Sequence, residues 1–159
     1  TRRQRQMCIR DSAYRDARRY AEMQGYILKG TEKIWDSSIA NMGILFVNLY
    51  FRDRVPAYFD AIYPPFWRRE LDIEDIDVVK RCLEAAGVES AGFDDFVNGE
   101  GRQMHDHILA HRFDAGMYGV PTYVLAEGVF FGREHLPYIR WVLTGKRGAA
   151  PDVSNEVGS

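Results

Sequence analysis

The feature that most constrains this chain is how late its β-structure arrives. From about residue 13 to residue 118 the apolar residues recur at helical spacing, and no segment there reads as a convincing strand. After Gly119 the period shortens to two. Tyr123 to Ala126 reads as a strand, Glu127-Gly128 as a turn, and Val129 to Phe131 as a second strand. A lone two-stranded hairpin is marginal in water and cannot cover several apolar helices. Its phenylalanine-rich edges, left unpaired, would invite association. The pattern therefore asks for further strands beside the hairpin, from a missing part of the protein or from another chain.

Local signals divide the helical block. Ser12 is placed to cap a helix from Ala13 to about Gln24, with Gly25 as its stop. Asp36, Ser37 and Ser38 offer caps to a second helix, whose Ile39, Met42, Leu45, Phe46 and Leu49 form the strongest core stripe in the chain. A third helix is predicted from about Val55 through Tyr63, with Tyr58, Phe59 and Ile62 inward, before Pro64 and Pro65 disturb it. The acidic run Asp72 to Asp77 suits the start of a fourth, which ends at Gly87 and carries Cys82 as a core thiol beside Val79 and Leu83. A short helix near Ser90 to Val97, a break at Asn98-Gly99-Glu100-Gly101 and a longer helix to about Met117 follow. Past the hairpin, Glu134 to Thr144 predicts a last helix with Leu136, Ile139, Trp141, Val142 and Leu143 on or near the sheet, stopped by Gly145.

The ends read differently. Residues 1–12 hold four arginines and two glutamines with almost nothing apolar, the composition of a disordered tail. Arg5 to Ser12 resembles translated adaptor read-through, which would make that tail non-native and start the protein near Ala13. Residues 146–159 form a polar tail.

Composition excludes several classes of function. A chain of 159 residues with 46% hydrophobic content can bury one core. Its net charge of −2 and isoelectric point near 6.1 provide no broad positive field for nucleic acid. The longest apolar stretch, Met42 to Phe51, is broken by Asn48 and reaches about half of the roughly 20 residues a membrane span requires. Cys8 and Cys82 form neither a CxxC pair nor a zinc-type cluster, which suits a reducing, cytoplasmic setting. His107 and His111 stand one helical turn apart with His105 nearby, but no third ligand is spaced to join them, so a solvated helix face accounts for all three and no metal is expected. Gly99-Glu100-Gly101 lacks the preceding strand of a dinucleotide fingerprint. Arg15, Arg18 and Arg19 on the first helix also read as a solvated face.

Two motifs about ten residues apart carry a resemblance. Gly119-Val120-Pro121-Thr122, opening the order strand, turn, strand, helix, resembles the carboxy-terminal half of the thioredoxin fold, in which a cis-proline enters the third strand. Phe130-Phe131-Gly132-Arg133-Glu134-His135-Leu136 is similar to the pattern of 2-hydroxychromene-2-carboxylate isomerases and kappa-class glutathione transferases, with Glu134 in place of aspartate and His135 in place of arginine. Val55 to Trp67, then Asp72-Ile73 and a helix ending Ala85-Ala86-Gly87, looks like the helical insertion of DsbA-related proteins.

The resemblance implies an α/β thioredoxin-like fold with a helical insertion, lacking here its first βαβ segment: predominantly helical, with a carboxy-terminal β-hairpin and helix. Residues 13–118 would be the helical insertion and 119–145 the carboxy-terminal half of the thioredoxin-like domain. It also implies an enzyme that uses glutathione as cofactor, acts on an aromatic or unsaturated carboxylate and forms a homodimer. The bound thiolate would add to an unsaturated oxygen heterocycle, allow rotation about a carbon–carbon bond, and leave. The catalytic nucleophile or activating group, serine in one branch and CxxC in the oxidoreductases, would sit in the missing front, so none is assigned to this chain. What remains are candidate glutathione contacts: the main chain of Val120, turned outward before Pro121, for the cysteinyl unit; N–H groups around Arg133 and Glu134 for the glutamyl carboxylate; and the Glu134 carboxylate for the ammonium. A dithiol–disulfide oxidoreductase and a noncatalytic association module are the competing readings.

Overall fold

The computed structural model describes residues 14–151. The expectations for residues 1–12, with the Ser12 cap, and for the tail beyond Pro151 lie outside them. The chain divides into two compact units, the first ending at Asp106 and the second beginning at His107. This division falls inside a helix, earlier than the break expected before Gly119.

The first unit is helical. α1 covers 14–23 and is closed by Gly25, whose φ of 78° suits glycine, with the Tyr26 N–H bonded to the Ala21 carbonyl at 2.9 Å. α2 (Ser38–Tyr50) starts where an Asp36 carboxylate oxygen accepts from the Ser38 N–H at 2.9 Å. After a 3-10 turn (Arg52–Arg54) come α3 (Val55–Trp67), α4 (Ile76–Ala85), α5 (Phe93–Asn98) and α6 (Glu100–His111). Asp75 caps α4, its carboxylate accepting from the N–H groups of Asp77 and Val78.

These helices enclose one core. Met42, Val47, Tyr58, Val79, Leu83, Val88 and Phe93 are all but inaccessible to solvent, each such side chain contributing roughly 1.5–3 kcal/mol on burial. Phe46 is its aromatic hub, with ring centroids 5.4 Å from Phe93 and 5.3 Å from Phe96 in edge-on geometry. Cys82 lies in this core, as its neighbours in sequence implied.

Several local expectations are corrected. In α2 the buried face is Ala40, Met42, Gly43, Phe46 and Val47, whereas Leu49 is exposed. The helix is apolar nearly all round, so the facing surface is chosen by the partner: Gly43 receives the Tyr58 hydroxyl, which donates to the Ala40 carbonyl at 3.0 Å. α3 runs through Pro64 and Pro65 to Trp67. Both prolines lie near its end, and the carbonyls of Pro64 and Pro65 still accept from Arg68 and Glu70. Edge-on packing of Phe66 on Trp35 and of Trp67 on Tyr14 holds the last turn against the proline penalty. Phe59 is partly exposed instead of inward. α6 stops at His111 and not near Met117, because Gly116 (φ 75°) closes a turn with the Met117 N–H on the Arg112 carbonyl. His105 is 8% exposed, buried rather than on a solvated face, with Nδ1 3.3 Å from an Asp106 carboxylate oxygen.

The second unit contains the hairpin. β1 (Thr122–Leu125) and β2 (Gly128–Phe131) pair antiparallel, with Tyr123 opposite Phe130 and Val124 opposite Val129. The turn is thus Ala126-Glu127, one residue earlier than expected, and Gly128 takes the positive φ. A 3-10 turn (Arg133–His135) precedes α7 (Leu136–Leu143), so the last helix starts later than Glu134. One face of the hairpin packs on α7 through Phe130 and Tyr138, at 5.4 Å between centroids. Ile139 is buried, but Leu136 and Leu143 are exposed rather than set against the sheet. The other face of the hairpin, Val124, Val129 and Phe131, is exposed.

Candidate functional site

In the second unit the two sequence motifs are brought side by side. Gly119 packs under Phe131 so tightly that a β-carbon there would stand 2.8 Å from a ring carbon. The Thr122 hydroxyl donates to the Gly119 carbonyl at 2.6 Å, bending the entry to β1. The Val120–Pro121 peptide is cis. From β2, the Gly132 N–H donates to the Pro121 carbonyl at 2.9 Å, which ties the loop at 119–122 to the one at 132–134.

The backbone at Gly132 favours glycine. Its φ is 104°, outside the range other residues adopt comfortably, and the Glu134 carboxylate lies where a β-carbon would project. Val120, Pro121, Arg133 and Glu134 therefore occupy one end of the hairpin. Val120 is 91% exposed, and among the described residues no hydrogen bond reaches its main chain. Arg133 and Glu134 are exposed on the 3-10 turn. At the opposite end of the hairpin Glu127 accepts from Lys146 at 3.0 Å, which holds the Glu127 carboxyl below its ordinary range and raises the Lys146 ammonium.

The first unit has a cavity of its own, about 590 Å³, that sequence reasoning did not single out. Trp35, Ile44, Ile62 and Phe66 give it an apolar wall, and Ser37 and Asn41 a polar rim. The Asn41 amide donates to the Ser37 hydroxyl at 3.1 Å. At the mouth, the Lys33 ammonium sits 4.3 Å from the Trp35 ring centroid and 2.7 Å from a Glu74 carboxylate oxygen. That hydrogen bond raises the Lys33 ammonium and, together with the Asp36 N–H at 2.8 Å, holds the Glu74 carboxyl below its ordinary value. The loop from Thr31 to Ser37 has no periodicity, so the only sequence signal was its alternation of charged, aromatic and hydroxyl side chains.

A family model for the DSBA-like thioredoxin domain matches residues 14–143. The chain belongs to the DSBA-like thioredoxin domain family. Its match takes in both the helical unit and the hairpin with α7, so the fold is of the DSBA-like thioredoxin kind, in this chain mostly helical with a small antiparallel sheet and a terminal helix. No curated protein and no solved structure matches the chain. Within this DSBA-like domain the only described thiol, Cys82, is buried in the helical core, where burial raises it above its ordinary value, a setting that disfavours the reactive thiolate. Among the described residues no group of three or more His, Cys, Asp or Glu is placed to hold a metal ion, and no helix is long and apolar enough to cross a membrane.

Proposed function

We propose that this protein is of the glutathione-dependent type within its family, an isomerase or transferase acting in the cytoplasm on a small aromatic or unsaturated carboxylate. The observation that carries the reading is the exposed, unpaired main chain of Val120, held beside the Gly132–Glu134 turn. An extended peptide backbone such as the cysteinyl unit of glutathione can pair there antiparallel, as one rung of strand addition. The Glu134 carboxylate, two residues beyond Gly132 and its hydrogen bond to Pro121, would take the glutamyl ammonium. Cys82 is buried in the helical core and is not placed to react at this end of the hairpin, and in this reading the reacting sulfur is that of bound glutathione. The first unit's apolar cavity with its few polar groups has the make-up of a site for a small aromatic body.

Calorimetric titration of glutathione into the 159-residue chain tests this. Saturable binding that Glu134→Ala weakens, by roughly three- to tenfold for loss of one partly exposed charge pair, is the expected result. Stable self-association with no glutathione affinity would overturn it in favour of an association module.

A further inference from the structure

We infer that the basic pocket between α1 and the loop at 28–31 is a binding site for a small phosphate-type polyanion. The pocket has a volume of about 400 Å³ and is lined by Arg15, Arg18, Lys29 and Arg69 together with the hydroxyls of Tyr14 and Thr31. Two of the guanidiniums are fixed in place by the main chain. Arg18 donates from Nε to the Leu28 carbonyl at 3.1 Å and from Nη2 to that of Lys29 at 3.3 Å. Arg69 donates from Nε to the Gly30 carbonyl at 3.1 Å and from Nη2 to that of Lys29 at 3.3 Å. Arg69 itself holds a φ of 60°, a conformation that a non-glycine residue seldom adopts and that its surroundings hold here. The Tyr14 and Thr31 hydroxyls lie 3.4 Å apart on the same wall.

The charges do not balance. Glu32 pairs with Arg69 at 3.3 Å, and Glu70, which Lys29 feels through space, is already hydrogen-bonded to Arg68 at 2.9 Å. Arg15, Arg18 and Lys29 make no ion pair among the described residues, and Lys29 has only the longer-range pull of Glu70, which Arg68 already engages. Three cations gathered around one concavity repel one another, and the arrangement is relieved by an anion with more than one charge; a single carboxylate would leave two uncompensated. The uncommitted Arg15 guanidinium, the Lys29 ammonium and the wall hydroxyls can donate to the several acceptor oxygens of a phosphate or pyrophosphate, while Arg18, its Nε and Nη2 already donating to carbonyls, adds a fixed positive charge. The basic face of α1, which as a sequence resembled an ordinary solvated face, is thereby given a shape.

Pyrophosphate titrated into the 159-residue chain at constant ionic strength, with sodium chloride as the matched control, is the test. The expected result is saturable one-to-one binding. Arg15→Gln and Lys29→Gln remove side chains that make no hydrogen bond within the described residues, so melting by circular dichroism stays as in the parent chain. Each should weaken binding roughly three- to fivefold, and the pair tenfold or more, at about 1 kcal/mol per exposed charge contact. Glu134→Ala leaves pyrophosphate binding unchanged, which separates this site from the proposed glutathione site. A heat no larger than that of chloride, or full binding by the double variant, would overturn the inference.

Discussion

Gly43 sits in the middle of α2, where alanine would ordinarily be the better residue by about 1 kcal/mol. Here the structure reverses that preference. A β-carbon at position 43 would collide with the Tyr58 hydroxyl and stand 2.7 Å from Cζ and 3.4 Å from Cε1 of the same ring. Tyr58 is 1% exposed and cannot swing aside into solvent. Its displacement overpacks the core, at about 1–3 kcal/mol, and breaks the buried hydrogen bond to Ala40, leaving a hydroxyl unsatisfied at about 1–3 kcal/mol more. Set against the helical gain, Gly43→Ala should destabilise the chain by about 3 kcal/mol.

Urea unfolding followed by far-ultraviolet circular dichroism reads this as a fall in midpoint of roughly 1.5 M, taking a slope near 2 kcal/mol per molar. Tyr58→Phe alone loses one hydrogen bond, about 1 kcal/mol. The double variant should lose less than the sum of the two, because the hydroxyl is the first atom struck, yet it should not recover fully, because Cζ is still too close. A Gly43→Ala chain as stable as its parent, or strict additivity in the cycle, would refute the packing argument.

Two further outcomes follow from the titratable groups. The folded chain holds the Glu74 carboxyl below its ordinary value of 4.5, so the stability this contributes is present above that pH and is lost as pH falls through the lower folded value. Glu74→Gln should therefore be less stable than its parent at neutral pH and show a shallower loss on acidification below about pH 4.5, measured by urea midpoints across that range; parallel profiles would contradict the Lys33 and Asp36 contacts. Burial raises the Cys82 thiol, outweighing the opposite pull of Arg81. Peptide mapping after iodoacetamide at pH 8 should find Cys82 unmodified in the native chain and alkylated in urea, and equal labelling in both would place it at the surface.

What the sequence made legible was what depends on neighbours in the chain. Gly25, Gly87 and Gly145 stop helices because each supplies a positive φ, and Asp75 starts one because its carboxylate reaches N–H groups two and three residues on. The motif residues around Pro121 and Gly132 could be paired from sequence for a similar reason: a ten-residue hairpin brings its own ends together. The face of α2 was not legible, because an all-round apolar helix takes its orientation from Tyr58, fifteen residues beyond Gly43. Nor was the run of α3 through two prolines, which depends on Trp35 and Tyr14 packing against its last turn. The cavity around Trp35 and the pocket around Arg69 draw on an aperiodic loop and on long-range contacts, so no period could announce them.

The hairpin joins these two levels. Strand count alone argued that this pair of strands needs partners at its edges, and its residue pattern adds a second demand, for cover on its faces. Tyr123 and Phe130 turn to one face and are partly covered there; Val124, Val129 and Phe131 turn to the other and are exposed. Strands that face water on one side alternate apolar with polar, whereas these carry apolar residues on both faces. Such a run belongs to a sheet covered by helices on both sides, the layered arrangement of the thioredoxin architecture to which the family match assigns this chain. Periodicity announced the unpaired edges before any contact was known, whereas the exposed face, which asks for a covering layer and not for further strands, became visible only with the register of the two strands.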